Sequence, residues 1–208
     1  MQSALSIHNT FAGRNVLLTG ASGFLGKVWL AMVLHRVPTI CKIYVLLRPK
    51  ALRSALDRFE RMIATSPAFK PLHELHGAAM GEFVAARVEV VEGDVSLPGF
   101  GIKDTELAAR LHRDLDLIVN CAGLVDFDPD LREAMSTNVD GARNAAAFTL
   151  ECARARLLHV STCYVTGLRQ GRVEETVDAA FSPCSPTGGP SCNPPSRSTR
   201  PLPDATSC

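Results

Sequence analysis

The sequence predicts an α/β fold built on a doubly wound parallel sheet, and three observations predict it. Five short apolar runs stand along the chain: Asn15–Thr19, Lys42–Arg48, Arg87–Val91, Asp116–Asn120 and Leu157–Ser161. Segments with helical character separate them. A glycine-rich turn, Gly20-Ala21-Ser22-Gly23-Phe24-Leu25-Gly26, joins the first run to the first helical segment.

Each run is nearly continuous rather than alternating, as strands covered on both faces require. Between the strands the helical stretches are Lys27–Arg36, Ala51–Ala64, Asp104–Leu111 and the long Leu131–Ala155. In the second of these, Arg53 and Asp57 stand four apart, the spacing of an ion pair on one helix face. Strand–helix alternation of this kind implies right-handed crossovers within one sheet. No internal repeat is visible.

The chain of 208 residues can bury a core of ordinary domain size. Lys and Arg number 22 against 21 Asp and Glu, and they are scattered rather than gathered into a stripe. That argues against nucleic acid as a partner. No basic segment followed by an apolar run opens the sequence, so no secretory leader is expected. The longest apolar stretch, Val28–Leu34, is far shorter than the ~20 residues needed to span a bilayer, and a cytoplasmic, soluble chain is the expectation. Seven cysteines form no C-x-x-C pair, which speaks against zinc. Cys41, Cys121, Cys152 and Cys163 lie in apolar or helical surroundings, where free cysteine behaves as a small hydrophobe.

Composition changes after Phe181. Residues 182–208 hold seven of the 13 prolines and six serines, with Leu202 as the one large aliphatic residue. Such a segment cannot bury enough apolar area to offset its ordering entropy. We therefore expect an NADP-binding Rossmann-like domain over 1–181, incomplete at its C-terminal side, followed by a disordered Pro/Ser-rich tail. A regulatory tail and a truncation or loss of reading frame both fit this composition. The abundance of Pro, Ser, Arg, Thr and Cys favours the second.

The glycine turn carries the strongest chemical signal. Gly20 permits the tight turn, Gly23 lets the backbone approach a pyrophosphate, and Gly26 allows close helix–strand packing. Phosphates would sit over Ser22, Phe24 and Leu25, where the first amides of a helix stay unpaired and favour negative charge. The second strand ends on Arg48, with Lys50 near it, where an NAD site would place an acid for the ribose 2′-hydroxyl. A guanidinium suits a 2′-phosphate, so the expected cofactor is NADP(H). At the end of the third strand Asp94 and Val95 are candidates for contact with adenine, and Asp94 is equally suited to a turn. Asn120, Cys121 and Ala122 end the fourth strand, where small residues would let the nicotinamide ribose lie against the backbone. Past the fifth strand, Thr162, with Ser161 as second candidate, could donate to a substrate carbonyl and stabilise oxyanion charge. His159 reads as a packed core histidine, and Asn138 as a polar residue on a wet helix face.

Taken together, these motifs resemble the extended short-chain dehydrogenase/reductase superfamily. Asn15–Val28, Lys42–Lys50, Gly93–Pro98, Phe127-Asp128 with Leu131–Ala134, and His159–Val165 are similar to fatty acyl-CoA reductases with a male-sterility-type NAD-binding domain. The resemblance runs from about Asn15 to Glu175. Thioester reductase domains of carboxylic acid reductases and peptide synthetases share much of the pattern. It implies hydride transfer from NADPH to the thioester carbonyl of a fatty acyl-CoA, giving an aldehyde and then an alcohol. The superfamily's Tyr-x-x-x-Lys pair is missing: the chain has two tyrosines, Tyr44 and Tyr164, and Leu168 stands where Tyr164 would need its lysine. Asp126 also departs from the family pattern. A non-catalytic NADP-binding protein and a sugar-nucleotide epimerase or dehydratase are the competing readings. The Lys42–Lys50 and Phe127–Ala134 stretches disfavour the latter.

Overall fold

Strand β1, Asn15–Thr19, explains why its run is continuous. Val16 and Leu18 face one core and Leu17 the other, because successive strand residues point to opposite faces. The computed structural model describes residues 6–50, 52–126, 128–162 and 172. The chain divides into two units, Met1–Val160 and Ser161–Cys208. The first holds a five-stranded parallel sheet of β1, β2 (Lys42–Leu47), β3 (Val88–Glu92), β4 (Leu117–Asn120) and β5 (Arg156–His159). Its order is β3-β2-β1-β4-β5. Leu17 lies beside Tyr44 of β2 and Ile118 of β4, so β1 is central in register as well as in order. The chain reverses direction across the sheet between β1 and β4, and a crevice opens there outside the carboxyl ends of the strands.

Eight helices appear among the described residues: α1 (Ile7–Phe11), α2 (Phe24–Arg36), α3 (Ala55–Thr65), α4 (Lys70–His76), α5 (Met80–Arg87), α6 (Thr105–Asp114), α7 (Leu131–Ala134) and α8 (Gly141–Glu151). One sheet face carries Val16, Leu18, Ile43 and Val45 under Leu30 and Leu34 of α2, Phe59 of α3 and Leu72 of α4. The other carries Leu17, Tyr44 and Ile118 under Leu111 of α6 and Phe148 of α8. Phe100 fills that second layer and stacks on Phe148 with ring centroids 4.7 Å apart.

Several local expectations need correction. The second helix begins at Ala55 rather than Ala51, because Ser54 and Asp57 close a reciprocal capping box that sets the first turn. Asp57 is thus engaged with Ser54, and Arg53 lies before the helix, so the expected i,i+4 pair does not form. Residues 67–86, unassigned by pattern, form two 3-10 turns with α4 and most of α5, and Arg87, expected to open the third strand, ends α5 instead. Each of these helices is short and buries only one or two residues, too few for a period to show in sequence. The long helix expected over Leu131–Ala155 is interrupted by a π-helical stretch, Met135–Asp140, and stops at Glu151. Cys41 is exposed rather than packed. His159 is exposed too, because β5 is the edge strand of the described sheet and most of its residues face outward. Among the described residues no helix is long and apolar enough to cross a membrane, and no cluster suited to a metal is present. The Pro/Ser-rich stretch 182–208 lies outside the described residues, as do Cys163 and Tyr164.

Candidate functional site

The glycine turn follows β1 directly and divides its work unequally among three glycines. Gly20 has φ +70°, and a Cβ there would lie 2.5 Å from the Cys121 carbonyl carbon at the end of β4. Gly26 packs α2 onto the turn, and a Cβ would collide with the Gly20 carbonyl. Gly23 differs. Its backbone is extended, and a Cβ would meet only the Gly20 carbonyl oxygen, at 3.2 Å. The protein itself has little need of a glycine there, which leaves room for something held outside it. Gly23 is also the N-cap of α2, which has no side-chain cap and no acid in its first turn. Its leading amides and positive dipole end are therefore available to an anion.

A cleft of about 240 Å³ lies over this turn, and it gathers the carboxyl ends of four strands. Gly20, Ser22 and Gly23 contribute from β1, Arg48 from β2, Asp94 and Val95 from β3, and Cys121 and Ala122 from β4. These eight sequence-expected residues come together. Five others do not line it. Phe24 and Leu25 sit at the exposed start of α2, 83% and 47% exposed. Gly26 serves packing. Lys50 is tied through its backbone to Arg53 in an antiparallel bridge. Asn120 is buried: its Oδ1 accepts from Thr19 Oγ1 at 2.5 Å and its Nδ2 donates to His159 Nδ1 at 3.1 Å. Thr19 Oγ1 in turn accepts from the Ala122 amide at 3.3 Å, so this buried chain of bonds sets the floor of the cleft. Ser161 and Thr162 open the second unit and are exposed there.

Asp94 serves the turn that its position suits and also faces Arg48. Oδ1 accepts from the Ser96 amide at 2.9 Å and the Ser96 hydroxyl at 2.8 Å, an Asx turn, while Oδ2 faces Arg48 Nη1 at 3.6 Å. Arg48 thus enters the cleft with part of its charge already matched. A second guanidinium, missed in the sequence, supports it: Arg58 of α3 donates from Nη1 to the Arg48 carbonyl and lines the same cleft. The available signal was its place on α3 beside the buried stripe Ala55, Phe59 and Ile63. Asn138 is exposed on its helix, as expected, and has a further role. Within the π-helical stretch its side chain accepts from the Leu124 amide at 2.7 Å and donates to the Leu124 carbonyl at 3.1 Å, clamping the loop after β4. Asn144 does the same for β3, donating to the Val95 carbonyl at 2.8 Å. Burial pushes the thiol of Cys121 above its ordinary range, so it lines the cleft as a neutral group.

Comparison with known proteins decides what this cleft belongs to. The family model described as male sterility protein matches residues 18–197. The chain belongs to the male sterility family. Fatty acyl-CoA reductase 1 of Arabidopsis thaliana is 34% identical over 164 residues, 78% of this chain and 33% of that protein. The alcohol-forming fatty acyl-CoA reductase of Simmondsia chinensis is 31% identical over 84% of this chain and 36% of its own length. The chain therefore spans about a third of the curated relatives it matches. Among solved structures, the reductase domain of a nonribosomal peptide synthetase from Mycobacterium tuberculosis has a TM-score of 0.60 at 29% identity. That match covers 77% of this chain and 37% of that one. Family domains bind NAD(P), and the residues here fit such a group: the uncapped helix start, the open face of Gly23 and the two guanidiniums stand in one cleft. Tyr44 does not line the cleft. That residue is buried in the core, and burial raises its phenol above the ordinary range against the lowering effect of Arg110.

Proposed function

We propose that this chain carries the NADP(H)-binding part of a fatty acyl-CoA reductase. The observation that carries the reading is the convergence of Arg48 and Arg58 beside an uncapped helix start and the open Gly23. Bound there, NADPH supplies the hydride that a thioester carbonyl accepts. The chain's own residues bind and orient it. Gly23 and the first amides of α2 take the diphosphate, Arg48 and Arg58 the 2′-phosphate, and Asp94 and Val95 the adenine. The small Cys121 and Ala122 leave the nicotinamide ribose room against β4. Thr162, with Ser161 beside it, is the proposed donor to the substrate carbonyl. The identity to plant fatty acyl-CoA reductases, over 78% of the chain, supports a CoA thioester as the substrate.

Calorimetric titration with NADPH and NADH tests this reading. NADPH is expected to bind more tightly, and Arg58→Ala to weaken NADPH about ten- to a hundredfold while leaving NADH nearly unchanged. That range follows from losing one charged hydrogen-bond partner, about 1.5–3 kcal/mol. Equal affinity for the two cofactors in the unmodified chain would overturn the reading.

A further inference from the structure

We infer that a basic bay beside the cofactor cleft accepts the 3′-phospho-ADP end of coenzyme A as well as the 2′-phospho-ADP end of NADP(H), so that free CoA competes with the cofactor. The inference rests on the reading above. The bay, about 410 Å³, is walled by Ser22 and Lys27 on the α2 side and by Arg53, Arg58 and Arg61 on the α3 side. It continues the cofactor cleft, since Ser22 and Arg58 line both. Among the described residues no carboxylate lines it. Among the described residues, no salt bridge reaches Lys27, Arg53, Arg58 or Arg61. Asp57, the acid whose charge Arg53 affects, is committed to the Ser54 cap.

Four cations exceed what one phosphate matches, because a phosphomonoester brings about −1.5 to −2 at pH 7. Discriminating between adjacent ribose hydroxyls needs a guanidinium fork held in one place by its own supports. Of these four cations, Arg58 alone has such a support among the described residues, through the Arg48 carbonyl. Arg53 and Arg61 are exposed and make no side-chain hydrogen bond among the described residues. Arg58 and Arg61 are three apart on α3 and so are surface neighbours. A phosphate moved by one ribose carbon stays within their reach, and Lys27 acts as a point charge with no angular demand. The remainder of the two phospho-ADP ends is the same, an adenosine with a 5′-diphosphate. The turn at Gly23 and the start of α2 serve that part alike.

The test is calorimetry on the full chain with 5′-AMP, 2′,5′-ADP and 3′,5′-ADP, followed by displacement of bound NADPH with free CoA. Both bisphosphates are expected to bind at least about tenfold more tightly than 5′-AMP and within about fivefold of each other. CoA should displace NADPH. Arg53→Ala with Arg61→Ala, checked for folding by circular dichroism, should weaken both bisphosphates about tenfold and leave 5′-AMP unchanged. Tight 2′,5′-ADP with 3′,5′-ADP no better than 5′-AMP would overturn the inference while leaving the NADP(H) reading intact. If neither bisphosphate exceeds 5′-AMP, the NADP(H) reading falls and this inference with it.

Discussion

Replacing Gly23 with alanine separates a glycine kept for a ligand from glycines kept for the fold. The new Cβ meets only the Gly20 carbonyl oxygen, at 3.2 Å, a contact relieved by a shift of a few tenths of an ångström. Alanine is a poorer N-cap than glycine, and together these cost about 1 kcal/mol of stability. Gly26→Ala instead drives a methyl into the Gly20 carbonyl and to within 2.8 Å of the Ala21 Cα, both backbone and unable to yield. Overpacking of that kind costs about 1–3 kcal/mol or more. On the binding side the order reverses. A methyl at position 23 stands where a diphosphate approaches the α2 amides, and losing one charge-assisted bond there costs about 1.5–3 kcal/mol, ten- to a hundredfold in affinity. Urea unfolding and NADPH calorimetry on both variants measure the two quantities side by side. The expected result is a stable Gly23→Ala that binds NADPH poorly and a markedly less stable Gly26→Ala; Gly23→Val should bind more weakly still. A stable Gly23→Ala with unchanged NADPH affinity would refute the assignment of this turn to the diphosphate.

Three further outcomes are expected. Thr19→Val removes the buried donor to Asn120 and should destabilise the chain by about 1–3 kcal/mol in urea, the cost of a buried polar group left unpaired; an unchanged midpoint would show that Asn120 finds another donor. Asp57 is held below its ordinary value by the Ser54 hydroxyl and amide, so its contribution is present above pH 3.8 and lost as pH falls through the lowered folded value. Ser54→Ala should accordingly lower Tm at pH 7 and progressively less as Asp57 protonates, and a Tm deficit that stays constant down to pH 2 would contradict this. Finally, the chain alone should not oxidise NADPH with palmitoyl-CoA at 340 nm, because general acid catalysis worth roughly a hundred- to ten-thousandfold lacks its tyrosine, and Thr162→Ala should change nothing. Clear turnover abolished by both Thr162→Ala and Tyr164→Phe would reverse that view.

Local chemistry was enough to place β1 to β5 within one or two residues, since β1, β2 and β4 are apolar on both faces and so read as unbroken runs, and β3 and β5 keep an apolar centre. It was also enough to mark the turn Gly20–Gly26, whose spacing reflects sterics within seven consecutive residues. Boundaries set by neighbouring residues alone, such as the Ser54–Asp57 cap, were present in the sequence but outweighed by helical periodicity. Other features required the chain to close on itself. Arg58 joins Arg48 only once α3 folds back onto the sheet, and the buried stripe beside it shows which face of α3 packs without showing that Arg58 reaches the cleft. Asn120 looked like a cleft residue beside Cys121 and Ala122, yet strand alternation turns its side chain into a buried bond with Thr19, 101 residues earlier. His159 read as core because it stands in an apolar run, and only the strand order puts that run at an edge. In each case the deciding partner is distant in sequence, and a contact of that kind exists only once the sheet has assembled.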